Sequence, residues 1–216
     1  MGGSGHAGAM TTTSPPADAK AVLHRYLRAA REALVSKVEG LSEREARLPR
    51  TPTGTNLLGL VKHAATVEID YFGGVFGRTW PTPQDTPWLA AASAADPTPA
   101  DEQAEFFATA DEPAEYIVGL YRRVWAFADA TIDALALDAP GHVARWRAGR
   151  RDVTLHQMLV HMTAELHRHA GHADILRELS DGAVGLRADY LARRFDYAAY
   201  TRELRDLAEQ FPEEAR

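Results

Sequence analysis

The sequence predicts an all-α protein built as a four-helix bundle. Three observations carry that reading. Four long segments repeat apolar residues at spacings of three and four, the period of an amphipathic helix. Glycine or proline punctuates the ends of these segments, where helices commonly stop. No stretch shows the apolar–polar alternation of a half-buried strand, so no sheet is required.

The first helix is expected from about Asp18 to Glu39, through Val22, Tyr26, Leu27, Ala30, Leu34 and Val38, with Gly40 ending it. The second spans about Asn56 to Val75, until Gly73, Gly74 and Gly77 break it. Residues 78–112 differ, because Pro81, Pro83, Pro87, Pro97 and Pro99 fall there. Proline removes a backbone donor and clashes with the preceding turn, so this stretch cannot be one helix. It reads as a long crossover between helices two and three, of a kind several bundle families use. Loops of that length are usually functional or disordered. The third helix begins near Pro113, a residue suited to a first helical turn, and runs to about Leu137 before Pro140 and Gly141. A turn-rich segment precedes the fourth. There Thr154 and Gln157 have capping-box spacing, and the helix runs to about Leu179 and stops at Asp181-Gly182. A shorter C-terminal helix is expected over Asp196 to Phe211, either to cover the bundle or to pair with a second copy as a homodimer. Residues 1–10 are Gly/Ala/Ser-rich and read as an appended leader, leaving 11–216 as one helical-bundle domain.

Composition excludes several functions. The 216 residues suffice for one sizeable core. A formal charge of −6 argues against nucleic acid, whose phosphates demand a basic surface. No run of about 18 apolar residues offers a membrane span. No basic-then-apolar leader marks secretion, so the cytoplasm is the expected location. The absence of cysteine removes disulfides, thiolate metal sites and a cysteine nucleophile.

Histidine is the feature that remains. Five of the nine histidines lie between 156 and 172. At about 100° per residue, with Glu165 at zero, His161 falls near about −40°, His169 near +40° and His172 near −20°. His156 and His167 fall on the opposite face. The apolar residues Leu155, Met158, Met162, Leu166 and Leu176 centre beside the first group. A carboxylate and at least one histidine therefore face the core, where an unpaired ionisable group is costly. Glu165 and His169 are one turn apart and can share an ion. His63 sits with Leu60 and Val67 on the apolar face of the second helix. Two nitrogens and one oxygen with an open position form a catalytic zinc arrangement. A core-facing histidine is also commonly just hydrogen-bonded, and the pattern alone leaves the two readings level. The H-E-x-x-H, E-x-x-H and G-x-S-x-G motifs are absent, which sets aside zincins, di-iron bundles and serine hydrolases.

Other candidates flank this set. Arg145, Arg147, Arg150 and Arg151 surround Trp146. They form either a clamp for an anionic co-substrate or a solvated basic turn. Asp70 is either a carboxylate that orients a ligand or a surface group. Glu68 lies about 140° off the His63 face and is not chosen. Tyr71, Phe72, Phe76, Trp80 and Trp88 are expected mostly in the core, with part of the cluster lining a pocket.

The stretches LLGLVKHAATVEIDYF and TLHQMLVHMTAELHRHAGHADILREL resemble the DinB-like metalloproteins. They resemble in particular the actinobacterial-type branch with mycothiol-dependent maleylpyruvate isomerase and mycothiol S-transferases. The resemblance covers roughly residues 18–185. It implies a DinB-like four-helix bundle with one divalent metal, zinc first, nickel or iron as alternatives. His63, Glu165 and His169 match the ligand positions. Many members carry histidine where this chain has Glu165, which leaves the metal's identity open. His172 stands where many relatives carry glutamine, and His172 and His161 are the candidate bases or substrate-orienting groups. Arg145 and Arg147 are candidates to hold mycothiol.

The resemblance also implies a reaction. A metal with an open position deprotonates a bound thiol, and the thiolate is the nucleophile. With no cysteine in the chain, the thiol must come from a small co-substrate and attack an electrophilic small molecule. Two other readings stand beside a thiol transferase or isomerase. One is metal-dependent hydrolysis through a bound water. The other is non-catalytic, stress-related binding of a metal or small molecule.

Overall fold

The computed structural model describes residues 18–185 and 196–211. The leader 1–10 and the lead-in 11–17 lie outside the described residues. In chain order the helices are α1 (Ala19–Ser36), α2 (Glu43–Arg47), α3 (Leu57–Phe72), α4 (Pro87–Ala92), α5 (Pro99–Gln103), α6 (Ala114–Ala134), α7 (Leu155–Asp181) and α8 (Tyr197–Ala208). The four long ones, α1, α3, α6 and α7, are the expected bundle. α1 packs along α7, and α3 packs between α6 and α7. Their apolar faces meet in one core that includes Leu27, Leu34, Leu58, Phe72, Ile117, Leu120, Ile132, Met158, Met162 and Leu166.

Local chemistry sets the helix boundaries. Asp18 caps α1 by accepting from the Lys20 and Ala21 amides. Asn56 caps α3 by accepting from the Gly59 amide at 2.7 Å. Such caps satisfy amide donors that a first turn leaves free. The second helix ends at Phe72, earlier than expected, because Gly74–Phe76 tightens into a 3-10 turn. The third ends at Ala134, where Leu135 turns extended. Thr154 accepts from the Gln157 amide at 3.3 Å, one half of the expected capping box. Gly182 closes α7 with φ of 75°, a conformation glycine adopts without a Cβ penalty.

Three features depart from the expectations. Residues 78–112 are largely ordered, with two 3-10 turns (Pro83–Asp85 and Ala104–Phe106) beside α4 and α5. Helix α2 was not foreseen, although Ser42 and Glu45 form a full capping box. A small antiparallel hairpin pairs β1 (Pro140–His142) with β2 (Asp152–Thr154), against the expectation that no sheet was needed. Strands of three residues are too short to show alternation. The hairpin closes the arginine-rich turn and delivers the chain to α7.

The interior also holds an ionic centre. Arg31 of α1 is 1% exposed and donates from Nε to both oxygens of the fully buried Glu68 of α3 at 3.0 Å. Tyr121 of α6 donates to Glu68 at 2.8 Å. Arg31 Nη1 also reaches Asp129 of α6 at 2.6 Å, and Asp129 pairs with His24 at 2.7 Å. Arg31 and Glu68, the buried charges of this centre, are thus paired and hydrogen-bonded, the condition under which burial is tolerated. Helix α8 is amphipathic, yet Tyr197, Tyr200, Leu204 and Leu207 on it, and Phe211 just beyond it, are all exposed. No described helix is long and apolar enough to cross a membrane.

Candidate metal centre

The second and fourth bundle helices each present the residues their periods placed on the inner face. His63 on α3 is buried, while Glu165 and His169 on α7 are half-buried. One donor atom from each of the three lies within 4.8 Å of the others. His169 Nε2 is 2.9 Å from Glu165 Oε1, and His63 Nε2 is 3.9 Å from the same oxygen. The two imidazole rings stand edge to face, their centroids 4.9 Å apart.

The electrostatics of Glu165 are a contest. Burial pushes its carboxyl up, but the His169 hydrogen bond and the charges of His169, His63 and Arg168 pull it below the usual range. Burial comes first for His169 and, with His63 beside it, holds the imidazole below its ordinary pKa despite Glu165. An ionised carboxylate beside a neutral imidazole is the protonation state that metal ligation needs. His169 Nδ1 is buried with no hydrogen-bond partner. Two nitrogens and one oxygen that converge in this way fit a divalent transition metal.

The triad lies between two cavities. One, of about 530 Å³, has His63, Asp70, Tyr71, Glu105, Arg145, His161 and Glu165 in its wall. The other, of about 360 Å³, is bounded by Thr53–Asn56, Phe106, His169 and His172. A third hollow of about 430 Å³ joins Arg145, Trp146, Arg147, Arg150 and His161. The roomier groove along α1, about 600 Å³ with Lys20, His24 and Arg28, holds no member of the triad and is not the candidate site.

The two candidate bases therefore occupy different compartments. His161 packs edge-on against Tyr71 at 4.9 Å and Trp146 at 5.1 Å. Burial, the largest influence, lowers its pKa; Glu165 opposes this and Arg145 adds to it. His172 sits beside His169, ring centroids 5.6 Å apart. It is exposed and lines the second cavity. His156 and His167 are exposed, as their helix face predicts.

Arg145 pairs with Asp70 and lies over the Tyr71 ring at 4.5 Å. Asp70 thus holds an arginine instead of orienting a histidine ligand. Arg147 is exposed and lines the third hollow. Trp146 donates to the Tyr71 hydroxyl at 3.3 Å. Burial, ahead of the Glu165 charge, raises the Tyr71 pKa although the Trp146 bond lowers it. Phe72, Trp80 and Trp88 are core residues, and Tyr71 is the member of that cluster in the cavity wall.

The carboxylate that does meet His63 is Glu105, with Oε2 3.1 Å from Nδ1. Sequence reasoning missed it. Glu105 sits in the crossover, where no helical period assigns a face.

The chain has an all-α, DinB-like fold with a His–Glu–His cluster in its bundle. The family model for mycothiol S-transferases matches residues 22–182, from the first turn of α1 to the end of α7. The chain belongs to that family, within the DinB-like superfamily. It is similar in fold to a conserved protein from Enterococcus faecalis of known crystal structure. The two share 18% identity at a TM-score of 0.58, over 77% of this chain and 99% of the other. No curated protein matches the chain.

Proposed function

We propose that this protein is a metal-dependent transferase that joins a low-molecular-weight thiol, mycothiol first among them, to an electrophilic small molecule. The observation that carries the reading is the convergence of His63, Glu165 and His169 between two cavities. In a family defined by mycothiol transfer, two approaches to one centre suit two substrates. His63, Glu165 and His169 would hold a divalent ion, zinc by the donor set, which when bound would supply Lewis acidity that favours the ionised form of a thiol.

The chain's own groups do the rest. Glu165 stays ionised and offsets one positive charge of the site. His161, whose pKa burial lowers, is the group that can accept the thiol proton. The Tyr71 hydroxyl stays protonated and can donate to a substrate oxygen. Arg145, Arg147 and Arg150 at the third hollow can hold an anionic group of a substrate, with Asp70 fixing Arg145. His172 faces the second cavity and can orient what enters there.

The test is a metal-loaded sample given mycothiol and a bimane electrophile. Thiol consumption with formation of the S-conjugate is expected. No thiol consumption overturns the reading, and ester or amide turnover without thiol redirects it to hydrolysis.

A further inference from the structure

We propose that Glu105 is a positioning residue for the ligand His63, so that the crossover is part of the metal centre. This rests on the reading that His63, Glu165 and His169 hold a divalent ion. An imidazole that binds a metal through Nε2 must carry its proton on Nδ1. A carboxylate accepting that proton fixes both the tautomer and the ring's rotation. Glu105 meets the requirement at 3.1 Å from Nδ1, on the side of the ring away from Glu165. Phe106, the next residue, stacks on the same ring with centroids 4.6 Å apart and planes 22° from parallel. One turn of the crossover thus controls both the edge and the face of His63.

That turn is itself anchored to the start of α3. Asn56 Nδ2 donates to the Phe106 carbonyl at 3.1 Å. Gly59 permits the approach, since a Cβ there would lie 1.9 Å from the Phe106 carbonyl oxygen. Lys62 Nζ donates to the Phe107 carbonyl at 3.0 Å and pairs with Glu112 at 2.8 Å. Phe106 and Phe107, the two residues that follow Glu105, are therefore held by the start of the helix that carries His63. The other ligand histidine differs, because His169 Nδ1 is buried without a partner. Of the two ligand histidines, His63 is the one whose aim a second carboxylate sets.

The experiment titrates cobalt(II) and zinc(II) into wild type, Glu105→Ala, Glu105→Gln and His169→Ala. It reads affinity, the cobalt visible spectrum and the thermal midpoint of the metal-free protein. Glu105→Ala is expected to weaken binding about 10–100-fold, with an altered cobalt spectrum and an unchanged metal-free midpoint. Glu105→Gln, which keeps an acceptor oxygen, is expected to recover much of the affinity. Wild-type affinity and spectrum in Glu105→Ala overturn the proposal while leaving the metal reading intact. So does an affinity loss in both Glu105 variants that tracks a fall in the metal-free midpoint. A wild type that binds no more metal than His169→Ala overturns both.

Discussion

At the residue scale, the centre is decided by which influence wins at each ionisable group. Burial opposes charge on both Glu165 and His169, yet only Glu165 has partners that overcome it. Replacing His169 with alanine removes one of the three proposed ligands. Metal content of the purified variant is expected to fall from near-stoichiometric to negligible. His161 gives a pH prediction. Its folded pKa lies below the ordinary 6.5, so the unfolded chain protonates first as pH drops. Stability linked to His161 is therefore intact above pH 6.5 and declines as pH falls below it. An NMR titration of the His161 ring checks this, with a midpoint below 6.5 expected. The triad was legible because all three residues lie on long helices, whose period assigns each one a face. Which of the facing groups neutralises a buried charge was not legible, since one helix cannot reveal its neighbour's partner. Glu68 was set aside as a ligand, but its buried pairing with Arg31 was not foreseen for that reason, nor was the pairing of Arg145 with Asp70.

At the element scale, the four long helices came through within a few residues because each shows several turns of repeated pattern. The hairpin and α2 did not, being three to five residues long, shorter than two turns of any period. The crossover misled most. Its prolines argue correctly against one long helix, but they also open α4 and α5 as first-turn residues. The docking of this element gives a further prediction. Gly59→Ala forces a methyl against the Phe106 carbonyl, and the clash is with backbone, which cannot rotate away. Overpacking of this kind costs about 1–3 kcal/mol. Chemical denaturation of the variant is expected to show a loss in that range.

At the scale of the whole molecule, the bundle does not depend on metal for its core. The buried apolar residues of α1, α3, α6 and α7 pack among themselves, unlike a small zinc domain that is unfolded without its ion. Chelation is therefore expected to lower the thermal midpoint by mass action while leaving the far-ultraviolet circular dichroism helical. The ionic centre has a larger effect. Glu68→Ala takes from Arg31 its fully buried partner and leaves it only Asp129, and breaking a buried pair from one side costs about 3–5 kcal/mol. Replacing both partners, Arg31→Met with Glu68→Leu, is expected to restore most of that loss in the same denaturation experiment.

The Glu68 arrangement also bears on how the chain reaches its fold. The carboxylate lies on α3 and takes its partners from α1, at the start of the chain, and from α6, beyond the crossover. Any two of these helices, docked without the third, enclose a charge that is only partly satisfied. Half-assembled bundles are penalised, and subdomains have little reason to accumulate. Folding is thereby pushed towards a single cooperative event, with the amino-terminal helix as indispensable to it as the helices that carry the His–Glu–His cluster.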